Sequence, residues 1–329
     1  MIFFHEQLSE WSLARQNYEA LSKVRTKEFS FGDFSIRVQF NPARIVSSAA
    51  KVDAKSIQER KCFLCPSNLP PEQRGLPICG NYQILVNPFP IFPVHLTIPD
   101  IEHTDQLIFD RYEDMLNIAK ELNDFVIFYN GPKCGASAPD HIHFQAGNKG
   151  FLPIENDVKN ISKKHIYSDD KAIVYMPENY LRNMFIIESD DKNAITSTFK
   201  KIYSTLEIKE NESEPMLNIL TWRENKKWIS CIIPRKAHRP ECFFAEGDSN
   251  ILISPASVDM GGVFITPLEK DFEKITADDI PKIRKQKILR TERKYYPPNL
   301  PKQPWILIKL VVDFLFFTVF SYKITKKLH

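Results

Sequence analysis

Two stretches of this sequence combine residue types that can do chemistry. Cys62-Phe63-Leu64-Cys65 spaces two thiols so that they can offer two thiolates to a tetrahedral metal, which needs two further ligands. His141-Ile142-His143-Phe144-Gln145 alternates polar and apolar, so as a half-buried strand it would set both imidazoles and the amide on one face. The loop before it, Asn130 to Asp140, is rich in Gly, Pro, Ala and Ser. Within it, Gly135, Ala136 and Ser137 can bring backbone N–H groups and a hydroxyl close to a phosphate. A neutral His143, with one ring nitrogen free and the other donating to a carbonyl, could attack phosphorus while Gln145 donates to a non-bridging oxygen. The plainer alternative is a tight turn followed by a solvated strand face.

Other histidines in this half that could complete a metal site are His5, His95, His103 and His141. A zinc ribbon is excluded because no second C-x-x-C exists. A Cys2His2 site assembled from distant strands is open, as is a pair of ordinary buried thiols. A thioredoxin-like pair lacks its βαβ context. Further along, Arg235, Lys236, His238 and Arg239 form a basic cluster that either meets substrate phosphates or lies on a solvated turn.

These groups must be positioned by an ordinary globular chain. Its 329 residues are 43% hydrophobic and 26% charged, enough for two medium domains or one duplicated one. The net charge of +3 gives no reason to expect nucleic acid as a partner. Met1-Ile2-Phe3-Phe4-His5-Glu6 lacks the charged region and apolar core of a signal peptide, and six cysteines are too sparse for a disulfide scaffold. A cytoplasmic protein is expected.

Helical spacing of Leu8, Trp11, Leu13, Tyr18, Leu21 and Val24 predicts an N-terminal helix over 7–24. Phe29 to Phe40 reads as a hairpin turning at Gly32-Asp33, and Asn41 to Arg44 ends it. Lys51 to Arg60 reads as a polar loop, 82–86 and 94–98 as strands, 105–122 as a helix and 125–129 as a strand leading to the chemistry. The order predicts an α+β domain with an antiparallel sheet. Beyond Gly150 the pattern loosely recurs: strands at 172–176 and 185–188, a helix at 194–206, then strands at 216–221, 228–234 and 251–254. A charged helix over 270–289 and a Pro-rich spacer at 295–304 follow. The tail 305–322 is apolar but carries Lys309 and Asp313, which make a spanning helix costly. A docked or membrane-surface amphipathic helix and a weak anchor both fit it.

Gly135-Ala136-Ser137 with Pro139, followed by His-x-His-x-Gln, resembles the histidine-triad superfamily, in the branch of galactose-1-phosphate uridylyltransferase, ATP adenylyltransferase (diadenosine-tetraphosphate phosphorylase) and the GDP-hexose phosphorylases. Cys62 to Cys65 with Pro66-Ser67-Asn68, Asn87-Pro88-Phe89-Pro90 and Pro99 to Thr104 follow the order of the uridylyltransferase's first half. The stretches from Met216, Trp228 and Ser254 resemble the phosphorylases' C-terminal segment, so the likeness runs over roughly residues 30 to 270.

The resemblance implies duplicated α+β halves, 1–150 and 151–290, followed by a tail at 291–329. It implies a ping-pong nucleotidylyltransferase or phosphorylase acting on a nucleoside diphosphate sugar or dinucleoside polyphosphate, with phosphate or a sugar 1-phosphate as acceptor. His143 would carry the nucleotidyl group, Gln145 would stabilise the transferred phosphoryl and Ser137 would touch phosphate. Asn130, Lys133, Gly135, Ala136 and Arg235 would line the substrate. Zinc would sit at Cys62, Cys65, His103 and His141, with His95 the competing ligand. A homodimer and membrane-surface contact through 305–322 complete the candidate partners. The alternatives are a hydrolase of the same fold and a non-catalytic nucleotide-binding protein. One departure stands out: Asp140 separates Pro139 from His141, where the uridylyltransferase-like relatives place histidine directly after proline.

Overall fold

The computed structural model describes residues 1–45 and 54–284. A hairpin opens the described strands, β1 (Arg25–Phe31) and β2 (Phe34–Phe40), and turns at Gly32-Asp33 as expected, with Gly32 at φ 68. The first half continues with β3 (Leu76–Ile78), β4 (Tyr82–Val86), β5 (His95–Pro99), β6 (Phe125–Asn130) and β7 (His143–Asn148). The second half supplies β8 (Lys163–Ser168), β9 (Ala172–Pro177), β10 (Phe185–Ser189), β11 (Leu217–Glu224), β12 (Lys227–Pro234) and β13 (Val263–Thr266).

Ten of these strands form one sheet in the order β3-β4-β5-β7-β6-β11-β12-β10-β9-β8. Read outward from its centre, each half has the same plan, β6-β7-β5-β4-β3 against β11-β12-β10-β9-β8. In chain order each inserts a helix between its third and fourth strands, Tyr112–Glu121 between β5 and β6 and Lys192–Tyr203 between β10 and β11. The expected duplication is therefore visible in the topology, and the halves join where β6 pairs antiparallel with β11, Asn130 opposite Asn218.

The two inserted helices cover one face. Their inward stripes, Tyr112, Met115, Leu116, Ile118 and Ala119 against Ile195, Phe199 and Ile202, are buried among Ile127, Phe144, Ile219 and Ile232 of the sheet. Tyr112 stacks on Phe199 at 3.8 Å between ring centroids. Burying each such aromatic side chain contributes roughly 2–3 kcal/mol. The opposite face is covered by Ile91 and Phe92, the helix Pro153–Asn160, the short helix Ser257–Met260 and a second, three-stranded sheet. In that sheet β13 lies parallel to β2, Val263 opposite Arg37, so a second-half strand completes a first-half hairpin.

Several expected elements differ. The N-terminal helix is two helices, Ile2–Glu10 and Ser12–Leu21, because buried Trp11 takes an extended conformation between them. The helix expected from 105 begins only at Tyr112, since the side chain of Gln106 and the amide of Ile108 are bonded to other elements. Ile251 to Ser254 is not a strand: its amides go to the Cys242 carbonyl and the Asp271 carboxylate, leaving no ladder. The polar segment after 51 contains a helix, Ala54–Glu59. The charged helix over 270–289 is replaced, as far as it is described, by Glu269–Lys274 and Asp279–Arg284. The end of that predicted helix, the spacer at 295–304 and the tail at 305–322 lie outside the described residues. Among the described residues no helix is long and apolar enough to cross a membrane.

Candidate active site and metal centre

Cys62 and Cys65 share one turn while His103 and His141 come from two further places in the sequence, yet the ligand atoms of all four lie within 4.8 Å of one another. Cys62 Sγ is 3.3 Å and Cys65 Sγ 3.6 Å from His141 Nδ1, and Cys65 Sγ is 3.2 Å from His103 Nδ1. His141 Nε2 donates to the Asp100 carbonyl at 2.7 Å, which leaves the Nδ1 lone pair facing the sulfurs. His103 turns its Nε2 to Asp140 Oδ2, 3.8 Å away. Both rings thus present Nδ1 inward and Nε2 to an outer acceptor. Burial pushes the Cys62 thiol up, but hydrogen bonding to His141 and the Leu64 backbone outweighs it and brings the thiol down to about 6. Burial and the neighbouring Cys62 sulfur raise Cys65 to about 11. Two thiols and two oriented imidazoles form a donor set that can hold a metal ion, which would stabilise both thiolates.

The extra residue Asp140 has a place in this arrangement. Its carboxylate pairs with Arg60, whose guanidinium lies 5.2 Å from the Phe63 ring centroid, and it also faces His103. It therefore links Arg60, just before the Cys62–Cys65 turn, and His103 to the loop that leads into β7.

That loop corrects one expectation. His141 is not on the strand; β7 begins at His143. The carbonyl of Ile142 accepts from Asp100 N and its amide donates to Thr104 O, so His141 sits in the approach to the strand rather than in its alternation. His143, only 4% exposed, has Nδ1 at 2.8 Å from the His141 carbonyl. Nδ1–H donates there, leaving the Nε2 lone pair free. Burial draws the His143 imidazole down to about 4. Gln145, two residues on, faces His95 on the neighbouring β5, with Oε1 at 2.9 Å from His95 Nε2. His95 Nδ1 accepts from Ile91 N at 3.2 Å, so its Nε2 carries the proton given to Gln145 Oε1. That fixes the Gln145 amide with its –NH2 left to donate elsewhere. His95 is thus a partner of Gln145 and stands apart from the Cys62, Cys65, His103 and His141 group.

The remaining predicted site residues are placed as follows. Asn130 is buried, its Oδ1 accepting from Asn218 Nδ2 at 3.0 Å and from Ser257 N at 2.8 Å. Arg235 is 4% exposed and donates to Asn218 Oδ1, the Pro255 carbonyl and the carbonyls of Ala237 and His238. Asn130 thus ties the end of β6 to the second half, and Arg235 braces Asn218 from within that half. Gly135, at φ 100, lies so close to Ala256 that a Cβ would sit 2.5 Å from the Ala256 Cβ, and Ala136 is buried beside it. Ser137 is partly exposed in the same loop, and Lys133 is exposed and ion-paired with Glu212 at 2.6 Å.

Two residues escaped sequence reading. Gln106 is fully buried and grips the start of β7: its Oε1 accepts from His143 N at 2.7 Å, while its Nε2 donates to the carbonyls of His143 and Asn130. It sits within a helical periodicity that hid it. Arg44 donates to the Phe89 carbonyl at 2.7 Å. Burial lowers its pKa to about 10 against the opposing pull of Asp259, and it joins burial in drawing His95 down to about 3. It brings a cation to the neighbourhood of the Gln145–His95 pair. In the sequence it was legible only as the end of a hairpin.

Residues 3–148 match the family described as a domain of unknown function (DUF4922). Over 225 residues the chain is 23% identical to diadenosine 5′,5‴-P1,P4-tetraphosphate phosphorylase 2 of Saccharomyces cerevisiae, covering 60% of this chain and 66% of that relative, just under two thirds of its length. The crystal structure of yeast Ap4A phosphorylase Apa2 aligns with a TM-score of 0.53 at 18% identity, covering 84% of this chain and 92% of that one. Its complex with AMP aligns with a TM-score of 0.53 at 19% identity, covering 85% and 96%. The chain has the fold of this phosphorylase. The expected α+β architecture, with antiparallel sheets and flanking helices, is therefore confirmed.

Proposed function

We propose that this protein is a nucleotidyl-transferring phosphorylase or transferase, acting on a dinucleoside polyphosphate or a nucleoside diphosphate sugar through His143. The observation that carries the reading is the fixed tautomer of His143, with Nδ1–H on the His141 carbonyl and Nε2 free, two residues along β7 from the oriented Gln145 amide. The relatedness to a diadenosine tetraphosphate phosphorylase supports the substrate class. Nε2 attacks the α-phosphorus; the P–O bond to the leaving nucleotide or sugar phosphate breaks, and that group departs with the bonding electron pair. The imidazole becomes N-nucleotidylated, and the Nδ1–H···O=C bond strengthens as positive charge develops. An oxygen of phosphate or of a sugar phosphate then attacks the same phosphorus, and the Nε2–P bond returns its pair to His143. The Gln145 –NH2 donates to a non-bridging oxygen in both steps, and Arg44 offsets charge nearby.

Cys62, Cys65, His103 and His141 would hold zinc. When bound, zinc supplies a cross-link between the Cys62–Cys65 turn and the approach to β7, fixing where His143 begins. The division at about residue 150 and the second half's role in shaping the site through Arg235 and Ser257 belong to the same proposal.

The test is labelling with radiolabelled Ap4A, ATP and nucleoside diphosphate sugars. Wild type is expected to give an acid-labile, base-stable protein adduct, and His143→Asn to give none, with turnover down by about a thousandfold or more. Absence of label from every nucleotide would sink the transferase reading.

A further inference from the structure

One buried carboxylate has no part in the mechanism above, yet it is wired to the residue that holds His143. Glu214, 4% exposed, lies just before β11 in the second half. Its Oε2 accepts from Ile108 N at 2.9 Å, and its Oε1 is 2.7 Å from the Tyr129 hydroxyl. That hydroxyl is also 2.9 Å from the main-chain carbonyl of Gln106. The side chain of Gln106 in turn grips both the N–H and the C=O of His143.

The proton count decides what this chain can do. Tyr129 has one hydroxyl proton and two acceptors in reach. If Glu214 is ionised, the proton goes to the carboxylate and the Gln106 carbonyl loses it. If Glu214 is protonated, its own O–H donates to Tyr129, whose proton then serves Gln106, and every member is satisfied. We propose that Glu214 is a positioning residue that acts through Tyr129 and Gln106 as a pH-sensitive catch on His143, engaged when Glu214 is neutral. The inference rests on the proposed chemistry of His143.

The surroundings favour such behaviour. A cavity of about 210 Å³ reaches Glu214 and gives its proton a route out; Asp105, Glu212 and Lys133 also line it, with Lys133 paired to Glu212. Cys134 lines the same cavity, its thiol pushed up by burial. Tyr203, on the helix Lys192–Tyr203, is also raised by burial and by Glu214. Lys209 spends its ammonium on Met216 Sδ and the Lys236 carbonyl. Gly131 lies against the group so closely that a Cβ there would be 3.2 Å from Glu214 Oε1. Burial raises the Glu214 carboxyl to about 7, against the pull of Ile108 N and Tyr129.

The experiment compares wild type, Glu214→Gln and Tyr129→Phe from pH 6 to pH 8, following nucleotidyl transfer together with amide hydrogen exchange of the peptide containing His143. Glutamine keeps both a donor and an acceptor, so it mimics the neutral acid at every pH. The ratio of wild-type to Glu214→Gln activity is expected to fall about tenfold over that range, as the neutral fraction does. Wild-type protection of the His143 peptide should fall by the same factor once intrinsic exchange is divided out. Tyr129→Phe should show low protection with no added pH dependence. Superimposable profiles for wild type and Glu214→Gln would overturn the catch, as would a Tyr129→Phe profile identical to wild type. If no protein transfers a nucleotide, the His143 chemistry fails, and the exchange ratio alone then upholds or overturns the catch.

Discussion

The two halves share a strand order and an inserted helix, but they differ in the link between the two innermost strands. In the second half, β11 turns into β12 through Asn225 and Lys226, at φ 51 and 70, the geometry of a tight hairpin. In the first, β6 reaches β7 only through residues 131–142, which carry the small-residue loop, Asp140 and His141. The shorter link closes a hairpin and leaves β12 with apolar positions such as Ile232 and Ile233. The longer one cannot close the ladder, since β6 and β7 pair only from Phe125 to Phe128, and Gln106 bridges the gap left at Asn130 and His143. The residues proposed for chemistry gather where the symmetric plan is interrupted and the backbone polar groups must be satisfied from elsewhere.

Matched substitutions would sharpen or break that contrast. The largest effect is expected for Cys62→Ser, which removes one of four ligands: bound metal should drop from one equivalent to none, and stability by about 3 kcal/mol or more. Cys231→Ser, a buried thiol on β12 of the other half, should cost about 1 kcal/mol and leave metal content unchanged. Metal analysis and chemical denaturation separate the two, and equal effects would remove the metal centre from the account.

Where the halves meet, Asn218→Ala should destabilise by about 2–4 kcal/mol. It strips a partner from buried Asn130, Arg235 and the Cys134 carbonyl together. A loss below 1 kcal/mol would mean that this network does not join the halves.

A third test is electrostatic. Burial raises Asp259 to about 6 against an unfolded value of 3.8, despite bonds from Ala256 N and Ile265 N and the nearby Arg235. Between those two values the folded chain binds more protons than the unfolded one. This contribution to stability therefore falls as pH rises through the window and levels off above it. Asp259→Asn should flatten that part of the curve of melting temperature against pH; an unchanged slope would show that Asp259 ionises freely.

The smallest effect belongs to the hairpin. Lys226→Gly should stabilise by about 0.5–1 kcal/mol, because glycine takes a positive φ without strain. A destabilised variant would mean that the Lys226 side chain contributes more than the turn geometry costs.

The sequence by itself determined the strands with clear alternation, the amphipathic helix faces and the residue types of both sites. Period and composition are local properties, and Cys62, Cys65, His103, His141, His143 and Gln145 could be named from spacing and resemblance. The tertiary structure sets the rest: His141 leaves the strand and turns Nδ1 to the sulfurs, His95 serves Gln145 rather than the Cys2His2 group, and Asp140 anchors Arg60. It alone exposed Gln106, Arg44 and Glu214, because a buried polar group takes its meaning from the partner that satisfies it, and those partners lie far away in the chain. Arg235 shows the same limit: the sequence shows a basic cluster, whereas the fold buries this guanidinium against Asn218 and the Pro255 carbonyl of the second half.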